Sequence, residues 1–174
     1  MLKKQLDIFF NTLSFFTRIP APKWVDFSVE NKINSIIYFS LIGVLVGGLG
    51  SLVYYGAMQI FPSSVSILLS MASTIYLTGA LHEDGFADVC DGFGGGWTKE
   101  HILSIMKDSQ IGAFGAIGMF LLLAIKFFSL YKSPGEYVIL LMVSGHSISR
   151  LMASILVYAL PYVCLLYTSD AADD

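Results

Sequence analysis

The stretch INSIIYFSLIGVLVGGLGSLVYYGAMQIFPSSVSILLSMASTIYLTGAL, at residues 33–81, contains no Asp, Glu, Lys or Arg. A helix that crosses a membrane needs about 20 apolar residues, so this stretch is long enough for two spans. The Pro-Ser-Ser sequence at residues 62–64 interrupts it, and we predict one span at residues 36–61 and a second at residues 65–81. Four glycines give the first span a flat face for close helix packing: Gly43, Gly47, Gly48 and Gly50.

Two further apolar stretches follow the second span. We predict a third span at residues 111–131 and a fourth at residues 137–160, separated by the Ser-Pro-Gly turn at residues 133–135. Lys126 lies near the end of the third span, where its ammonium group is expected to snorkel to the interface. The sequence therefore predicts an all-α fold, a polytopic membrane helical bundle with about four spans.

The overall composition supports a membrane protein. The chain has 174 residues, of which 55% are hydrophobic and only 13% are charged, whereas soluble domains carry about 25% charged residues. The net charge is −3, and three of the acidic residues lie among the last five positions. This charge balance gives no attraction to nucleic acid, so we expect the lipid bilayer as a partner and no nucleic acid.

The N-terminal region orients the chain in the membrane. Residues 6–16 are mostly apolar but are too short for a span, so we predict an interfacial helix there. Under the positive-inside rule the N-terminus is cytoplasmic, and the polar segment at residues 82–110 is cytoplasmic two crossings later. The basic residues that precede the first span are Lys3, Lys4, Arg18, Lys23 and Lys32.

The polar segment contains regularly spaced acids in the sequence HEDGFADVCDGFGGG at residues 82–96. If this segment is helical up to Gly92, then Asp84, Asp88 and Asp91 fall on one face. Carboxylates on one stripe repel each other, and a divalent cation such as Mg²⁺ resolves the repulsion. The alternative is a solvated acidic loop without a ligand. Glu83 points about 100° away from Asp84 on a helix and is a second-choice ligand.

Two features after the acids suit a phosphate-bearing substrate. Gly94 and Gly95 belong to a glycine-rich loop whose backbone amides can approach phosphate oxygens. A short surface helix, capped by Thr98, then delivers Lys107 and Asp108 to the membrane. Lys107 is a candidate phosphate ligand, and Asp108 is a candidate metal ligand or general base. The alternative for this pair is an exposed ion pair of little consequence.

Two more residues are candidates for contacts with substrate. Arg150 lies within the fourth span, where a charged side chain is costly, and it is a candidate phosphate or carboxamide contact. Its alternative role is an ion pair with a buried Asp. Arg18, in the turn after the N-terminal helix, is a second candidate of the same kind. His82 is either a proton carrier or a hydrogen-bonded cap at the end of the second span, and we favour the cap.

Three motifs resemble those of a known family. They are HEDGFADVCDGFGGG at residues 82–96, IMKDSQIGAFG at residues 105–115 and FTRIP at residues 16–20. The chain resembles cobalamin synthases, the adenosylcobinamide-GDP ribazoletransferases of bacteria and archaea. The first two motifs are long and specific, the third is short, and the resemblance extends from about Leu6 to Pro161.

The resemblance implies an activity and a location. The family joins adenosylcobinamide-GDP to α-ribazole or its 5′-phosphate, releases GMP and uses Mg²⁺ in the bacterial inner membrane. It implies metal binding by Asp84, Asp88, Asp91 and Asp108, with catalytic roles for Asp91, Lys107 and Asp108. The candidate substrate contacts are Arg18, Gly94, Gly95, Lys107, Ser109 and Arg150.

The sequence also departs from the family. Its members usually continue with further spans, so we interpret the chain as a C-terminally truncated member. We predict a single, incomplete transferase domain at residues 1–161 and a non-native tail at residues 162–174, because the end of the chain breaks with the apolar character upstream. An oligomer is possible.

Two alternative functions stay open. The pattern Asp88-x-x-Asp91-Gly92 resembles the opening of the motif of CDP-alcohol phosphotransferases, but the Ala-Arg that follows in that motif is absent. A small membrane transporter is the other alternative, and it predicts acidic residues inside the spans.

Overall fold

The computed structural model describes residues 2–160, and the predicted tail at residues 162–174 lies outside this range. Within the described residues the chain forms eight α-helices, and a short 3₁₀ turn at Ser35–Tyr38 joins the second to the third. The helices are α1 (Leu2–Phe16), α2 (Val29–Asn34), α3 (Phe39–Ala57), α4 (Ser63–Thr78), α5 (Leu81–Gly95), α6 (Lys99–Lys107), α7 (Ala113–Lys132) and α8 (Gly135–Ala159).

Three segments in the described residues are long and apolar enough to cross a membrane: Val29–Ala57, α7 and α8. Helix α4 has 16 residues and is about 24 Å long, which is shorter than the apolar core of a bilayer. It passes the same test only together with α5, to which it is joined by a bend of 88°. The all-helical membrane bundle is confirmed, and a fourth span requires the bent α4–α5 pair.

Helix α3 lies at the centre of the bundle and packs on α8 and α4. A Cβ atom added at Gly47 would lie 2.7 Å from the Cα of Val143 in α8, and one at Gly50 would lie 2.6 Å from the Thr74 side chain in α4. Gly43 is in equally close contact with the α8 backbone, whereas nothing lies within 4 Å of Gly48. The predicted packing face is therefore formed by three of the four glycines.

The predicted N-terminal helix is α1, and it is tied to the start of the first span. Ile8 and Leu13 are buried, and Leu13 packs with Ile42 and Val46 of α3. The Thr12 hydroxyl donates a hydrogen bond to the Ser35 carbonyl at 2.7 Å. Helix α1 is therefore part of the fold as well as amphipathic.

A sharp elbow directs α5 away from α4. Gly79 and Ala80 both adopt left-handed backbone conformations, with φ of 65° and 60°. The first left-handed residue ends α4 in the way that glycine commonly ends helices. Because of the elbow, the acidic segment forms a separate helix that turns away from the apolar one.

The glycine-rich loop expected at residues 94–96 is not a loop through most of its length. Helix α5 continues to Gly95, and only Gly96 is extended. A Cβ atom added at Gly94 would collide with the Phe114 ring, and one at Gly95 would lie 3.5 Å from Ile105. Gly94 therefore lets α7 approach α5, which is a packing role that the loop interpretation missed, whereas a side chain at Gly95 would make only an ordinary contact with α6.

Candidate functional site

The three regularly spaced aspartates lie on one helix, as predicted. Asp84 is exposed and Asp88 is partly buried, and neither carboxylate has a hydrogen-bond partner within residues 2–160. The pKa of Asp88 is raised above its ordinary value by partial loss of contact with water and by the negative charges of Asp84 and Asp91. The predicted mutual repulsion of this acidic face is therefore present.

Asp91 has a structural task that sequence reasoning did not assign to it. Its side chain is buried, and its two oxygens accept hydrogen bonds from the amides of Gly112 at 2.7 Å and Gly115 at 2.8 Å. These amides lie at the N-terminus of α7, whose helix dipole favours a negative charge. Asp91 therefore caps α7 and fixes it to α5.

Gly112 and Gly115 leave room for the Asp91 side chain because they have no Cβ atom. A Cβ atom on Gly112 or Gly115 would overlap the Asp91 carboxylate. The aspartate of the first motif and the glycines of the second thus form one contact. Their spacing in the sequence is the signal that could have revealed the cap.

Helix α6 brings the other predicted catalytic residues to the α6–α7 connection. Thr98 caps the helix as predicted, with its hydroxyl oxygen accepting from the His101 amide at 3.2 Å. Lys107, Asp108 and Ser109 are all exposed. Asp108 accepts a hydrogen bond from the Gln110 amide at 3.1 Å. These side chains are accessible to a substrate at the end of α6.

The four-carboxylate metal set is not assembled in the described part of the chain, where no three His, Cys, Asp or Glu side chains are grouped to hold a metal ion. Both oxygens of Asp91 accept hydrogen bonds from amides at the start of α7, and Asp108 lies in the α6–α7 connection. Asp84 and Asp88 remain as an adjacent pair with free oxygens. This pair fits Mg²⁺ in the mode in which the ion has one or two protein carboxylates, several waters and substrate phosphates as ligands.

Arg18 lies at the elbow. Its backbone amide donates to the Leu77 carbonyl at 2.7 Å, and its guanidinium lies 4.7 Å from the centre of the Tyr76 ring. The side chain is exposed and close to Gly79. The Arg18 side chain therefore has room to contact a phosphate group at the α4–α5 junction.

A second group of polar residues surrounds a cavity of about 720 Å³. The cavity is bordered by α4, α5, α7 and α8, because α7 packs against α5 and α4 rather than closely against α8. Five ionisable side chains line it: His82, Glu83, Lys126, His146 and Arg150. The side chains of the acidic face, Asp84, Asp88 and Asp91, do not.

Arg150 is buried in this cavity wall with 3% of its surface exposed. Its Nη1 donates to the His146 carbonyl at 3.0 Å, and its Nε has no partner among the described residues. The buried Asp partner considered in the sequence analysis is not found in residues 2–160. The guanidinium also lies 5.7 Å from the centre of the Phe39 ring.

Two expectations about neighbouring residues were wrong. Lys126 lines the cavity instead of snorkelling to the interface, because α7 presents it to the space beside α8. His82 is not a hydrogen-bonded cap: its ring lies against Phe16 and Phe39, and its Nε2 is buried without a partner in the described residues. Glu83 points away from Asp84, as predicted, and into the cavity.

Sequence reasoning therefore found the acidic face and missed the cavity. Arg150 was the only one of its ionisable residues that was assigned a contact with substrate. Lys126 was interpreted as a snorkelling residue, although both it and His146 lie in apolar segments. An ionisable residue inside a span is by default a sign of function, and applying that rule to all three would have identified the cluster.

Comparison with known proteins gives the family. Residues 8–169 match the family described as cobalamin-5-phosphate synthase. A protein of Shewanella frigidimarina (strain NCIMB 400), named adenosylcobinamide-GDP ribazoletransferase, is 46% identical over 164 residues, covering 92% of this chain and 62% of the relative. No solved structure matches the chain.

Two further relatives carry the same name. The protein of Shewanella woodyi (strain ATCC 51908 / MS32) is 43% identical, with 94% of this chain and 65% of the relative covered. That of Leptothrix cholodnii (strain ATCC 51168 / LMG 8142 / SP-6) is also 43% identical, with coverage of 89% and 60%. The chain thus spans less than two thirds of the length of these relatives. The chain contains the acidic helix α5, whose Asp91 caps the glycine-containing start of α7. It belongs to the cobalamin-5-phosphate synthase family.

Proposed function

We propose that the chain carries the catalytic face of an adenosylcobinamide-GDP ribazoletransferase. The reaction joins adenosylcobinamide-GDP to α-ribazole or α-ribazole 5′-phosphate and gives adenosylcobalamin or its 5′-phosphate with release of GMP. Family membership and the names of the relatives support this activity. The observation that carries the assignment is the free, mutually repelling Asp84–Asp88 pair on α5, beside the helix that Asp91 caps.

In this proposal a hydroxyl oxygen of α-ribazole attacks the phosphorus atom that bears the cobinamide. The bond from that phosphorus to the GMP oxygen breaks, and the hydroxyl proton passes to a base, for which we propose Asp108. Asp84 and Asp88 hold Mg²⁺, which supplies charge neutralisation at the diphosphate. Lys107 and Arg18 are both exposed, and in this proposal they contact phosphate oxygens. Roles for Gly94, Gly95 and Ser109 in binding substrate stay predictions.

We place the protein in the bacterial inner membrane with residues 82–110 on the cytoplasmic side. The support is the cluster of basic residues before the first span. This placement takes α4, about 24 Å long, as the second crossing in a locally thinned bilayer, with α5 outside the apolar core. Both substrates carry polar groups that do not partition into lipid, so an active face on α5 and α6 at the aqueous side suits them.

The test is product formation by membranes that contain the chain. With adenosylcobinamide-GDP, α-ribazole and Mg²⁺, we expect GMP and a corrinoid product in equal amounts, measured by chromatography. Asp84→Asn should lower the rate at least tenfold because it removes a ligand of the proposed cation. Glu136→Gln is the matched control, since Glu136 is an exposed acid in the first turn of α8.

Other outcomes would contradict the proposal in distinguishable ways. Release of CMP from a CDP-lipid without GMP release would favour the CDP-alcohol phosphotransferase alternative. Uptake of substrate into vesicles without any bond being broken would favour the transporter. Equal GMP release by Asp84→Asn and Glu136→Gln would remove the acidic face from the chemistry.

A further inference from the structure

The lining of the cavity between α7 and α8 combines ionisable and apolar side chains. Glu83, Lys126 and Arg150 are among the ionisable ones. The apolar side chains are Phe39, Leu122, Ile125, Leu130, Leu141 and Met142. Neither Lys107 nor Asp108 borders the cavity, so it is separate from the face assigned to group transfer. Its volume of about 720 Å³ lies within the range of small-molecule pockets.

Arg150 lacks the partner that its burial requires. Its side chain is 3% exposed, its Nη1 bonds only within its own helix, to His146, and its Nε has no hydrogen-bond partner in the described residues. A buried, unpartnered polar group is costly, and a charged one more so. The buried guanidinium therefore has hydrogen-bonding capacity that no described residue uses.

The unpartnered atoms are concentrated at this cavity. Four buried side-chain atoms in residues 2–160 lack a partner, and three of them, in His82, Glu83 and Arg150, belong to residues that line it. Lys126 has neither a hydrogen bond nor an ion pair to another described residue. Glu83 forms no ion pair with either cation in the same part of the chain. Among the five ionisable lining residues, Arg150 and His146 are hydrogen-bonded to each other, and the described part of the chain shows no such bond between any other two.

The charges of the side chains that line the cavity indicate what kind of ligand would pair with them. Two cations, Lys126 and Arg150, face a single carboxylate, Glu83, so the lining has an excess of positive charge in apolar surroundings. An anion placed between the cations would satisfy both of them at short range, where the low dielectric constant strengthens the attraction.

We propose that this cavity binds a phosphate ester, with its phosphate between Arg150 and Lys126 and its organic group against the apolar side chains of the lining. A tetrahedral phosphate offers acceptors in several directions and can bridge two separated cations, one of which is an arginine fork. The ester comes either from a soluble molecule or from an anionic lipid headgroup that enters between α7 and α8. The site does not depend on the transferase activity.

Binding to the purified full chain in phosphatidylcholine nanodiscs tests the proposal. Phenyl phosphate is the soluble probe and phenol its uncharged control, both followed by calorimetric titration. For the lipid source, the chain is reconstituted in phosphatidylcholine with a small fraction of phosphatidylglycerol, and retained lipid is measured by mass spectrometry. Lys126→Gln is compared with Lys132→Gln, an exposed lysine on the same helix.

Saturable binding of phenyl phosphate, weakened at least about tenfold by Lys126→Gln and less than twofold by Lys132→Gln, would support a soluble ester. Selective retention of phosphatidylglycerol that Lys126→Gln abolishes would support a lipid headgroup. Arg150→Gln should act in the same direction, and circular dichroism shows whether that variant is folded.

Three results would overturn the proposal: no binding of either probe, equal binding by the two lysine variants, or equal binding of phenol and phenyl phosphate. All of these are equilibrium measurements without substrates of the transferase. Loss of GMP release with intact phosphate binding would therefore count against the proposed function alone.

Discussion

At the scale of single residues, Asp91 shows how one side chain can be diverted from the role that its spacing suggests. Its position relative to Asp84 and Asp88 predicted a shared metal face. Both of its oxygens are instead engaged by the amides of Gly112 and Gly115. The cap depends on two acceptor oxygens and on a negative charge at a helix N-terminus.

Asp91→Asn should therefore destabilise the chain. An asparagine has one acceptor oxygen and leaves the second buried amide unsatisfied, which costs about 1–3 kcal/mol. Unfolding of the detergent-solubilised chain by sodium dodecyl sulfate, followed by circular dichroism, measures the change. Asp84→Asn, at an exposed position of the same helix, is expected not to lower the free energy of unfolding, because it removes a repelling charge and no hydrogen bond; an equal loss in both variants would argue against the cap.

The charge repulsion at Asp88 should be measurable as a pH dependence of the free energy of unfolding. Its pKa in the folded chain is raised above the ordinary value of 3.8 by partial desolvation and by Asp84 and Asp91. The folded state therefore holds the Asp88 proton at a pH where the unfolded chain has lost it. Without divalent cations, the contribution of Asp88 to the free energy of unfolding falls as pH rises from the unfolded pKa through the folded pKa.

Asp88→Asn should remove this part of the pH dependence and raise the stability at pH 7 in the absence of divalent cations. Unfolding curves for both chains across pH 4 to 7 supply the comparison. A lower stability of Asp88→Asn at pH 7 would mean that the charged carboxylate makes a favourable contact.

At the scale of secondary-structure elements, the packing of α3 against α8 depends on specific glycines. Gly47→Ala brings a Cβ atom to 2.7 Å from the Val143 Cα, so the helices must separate. We expect a loss of about 1–3 kcal/mol in the free energy of unfolding. Gly48→Ala is the matched control: nothing lies within 4 Å of it, and better helix propensity should stabilise it by up to about 1 kcal/mol. A similar effect of both substitutions would contradict this packing.

The elbow between α4 and α5 contains backbone strain that can be relieved. Ala80 has a φ of 60°, which costs an L-residue with a Cβ atom about 1–2 kcal/mol. We expect Ala80→Gly to stabilise the chain by up to about 1 kcal/mol after the entropic cost of glycine. Ala72→Gly, in the regular part of α4, should instead destabilise it. Destabilisation by both would show that the elbow is unstrained.

The sequence predicts the helices well because their signals are local. A charge-free stretch, a Pro-Ser-Ser break and a Ser-Pro-Gly turn identify the apolar helices near residues 36–61, 65–81, 111–131 and 137–160. The elbow had no such signal, because alanine rarely adopts the left-handed conformation that Ala80 has. The continuation of α5 through Gly95 was also missed, since its glycines are explained by contacts with α6 and α7.

At the scale of the whole molecule, α5 separates two chemical environments. The exposed face with Asp84 and Asp88 carries the proposed transfer chemistry, while Glu83 faces the cavity shared with Lys126 and Arg150. The acidic face was predictable from helical periodicity alone. The cavity depends on how α7 diverges from α8, which is a tertiary feature without a local pattern.

The central claim is that the Asp84–Asp88 face holds the cation on which group transfer depends. The most direct test is the rate of GMP release as a function of Mg²⁺ concentration for the unaltered chain, Asp88→Asn and Glu136→Gln. We predict that Asp88→Asn needs at least about tenfold more Mg²⁺ for its half-maximal rate, or releases no GMP, while Glu136→Gln behaves like the unaltered chain. The same Mg²⁺ dependence in all three chains would contradict the claim.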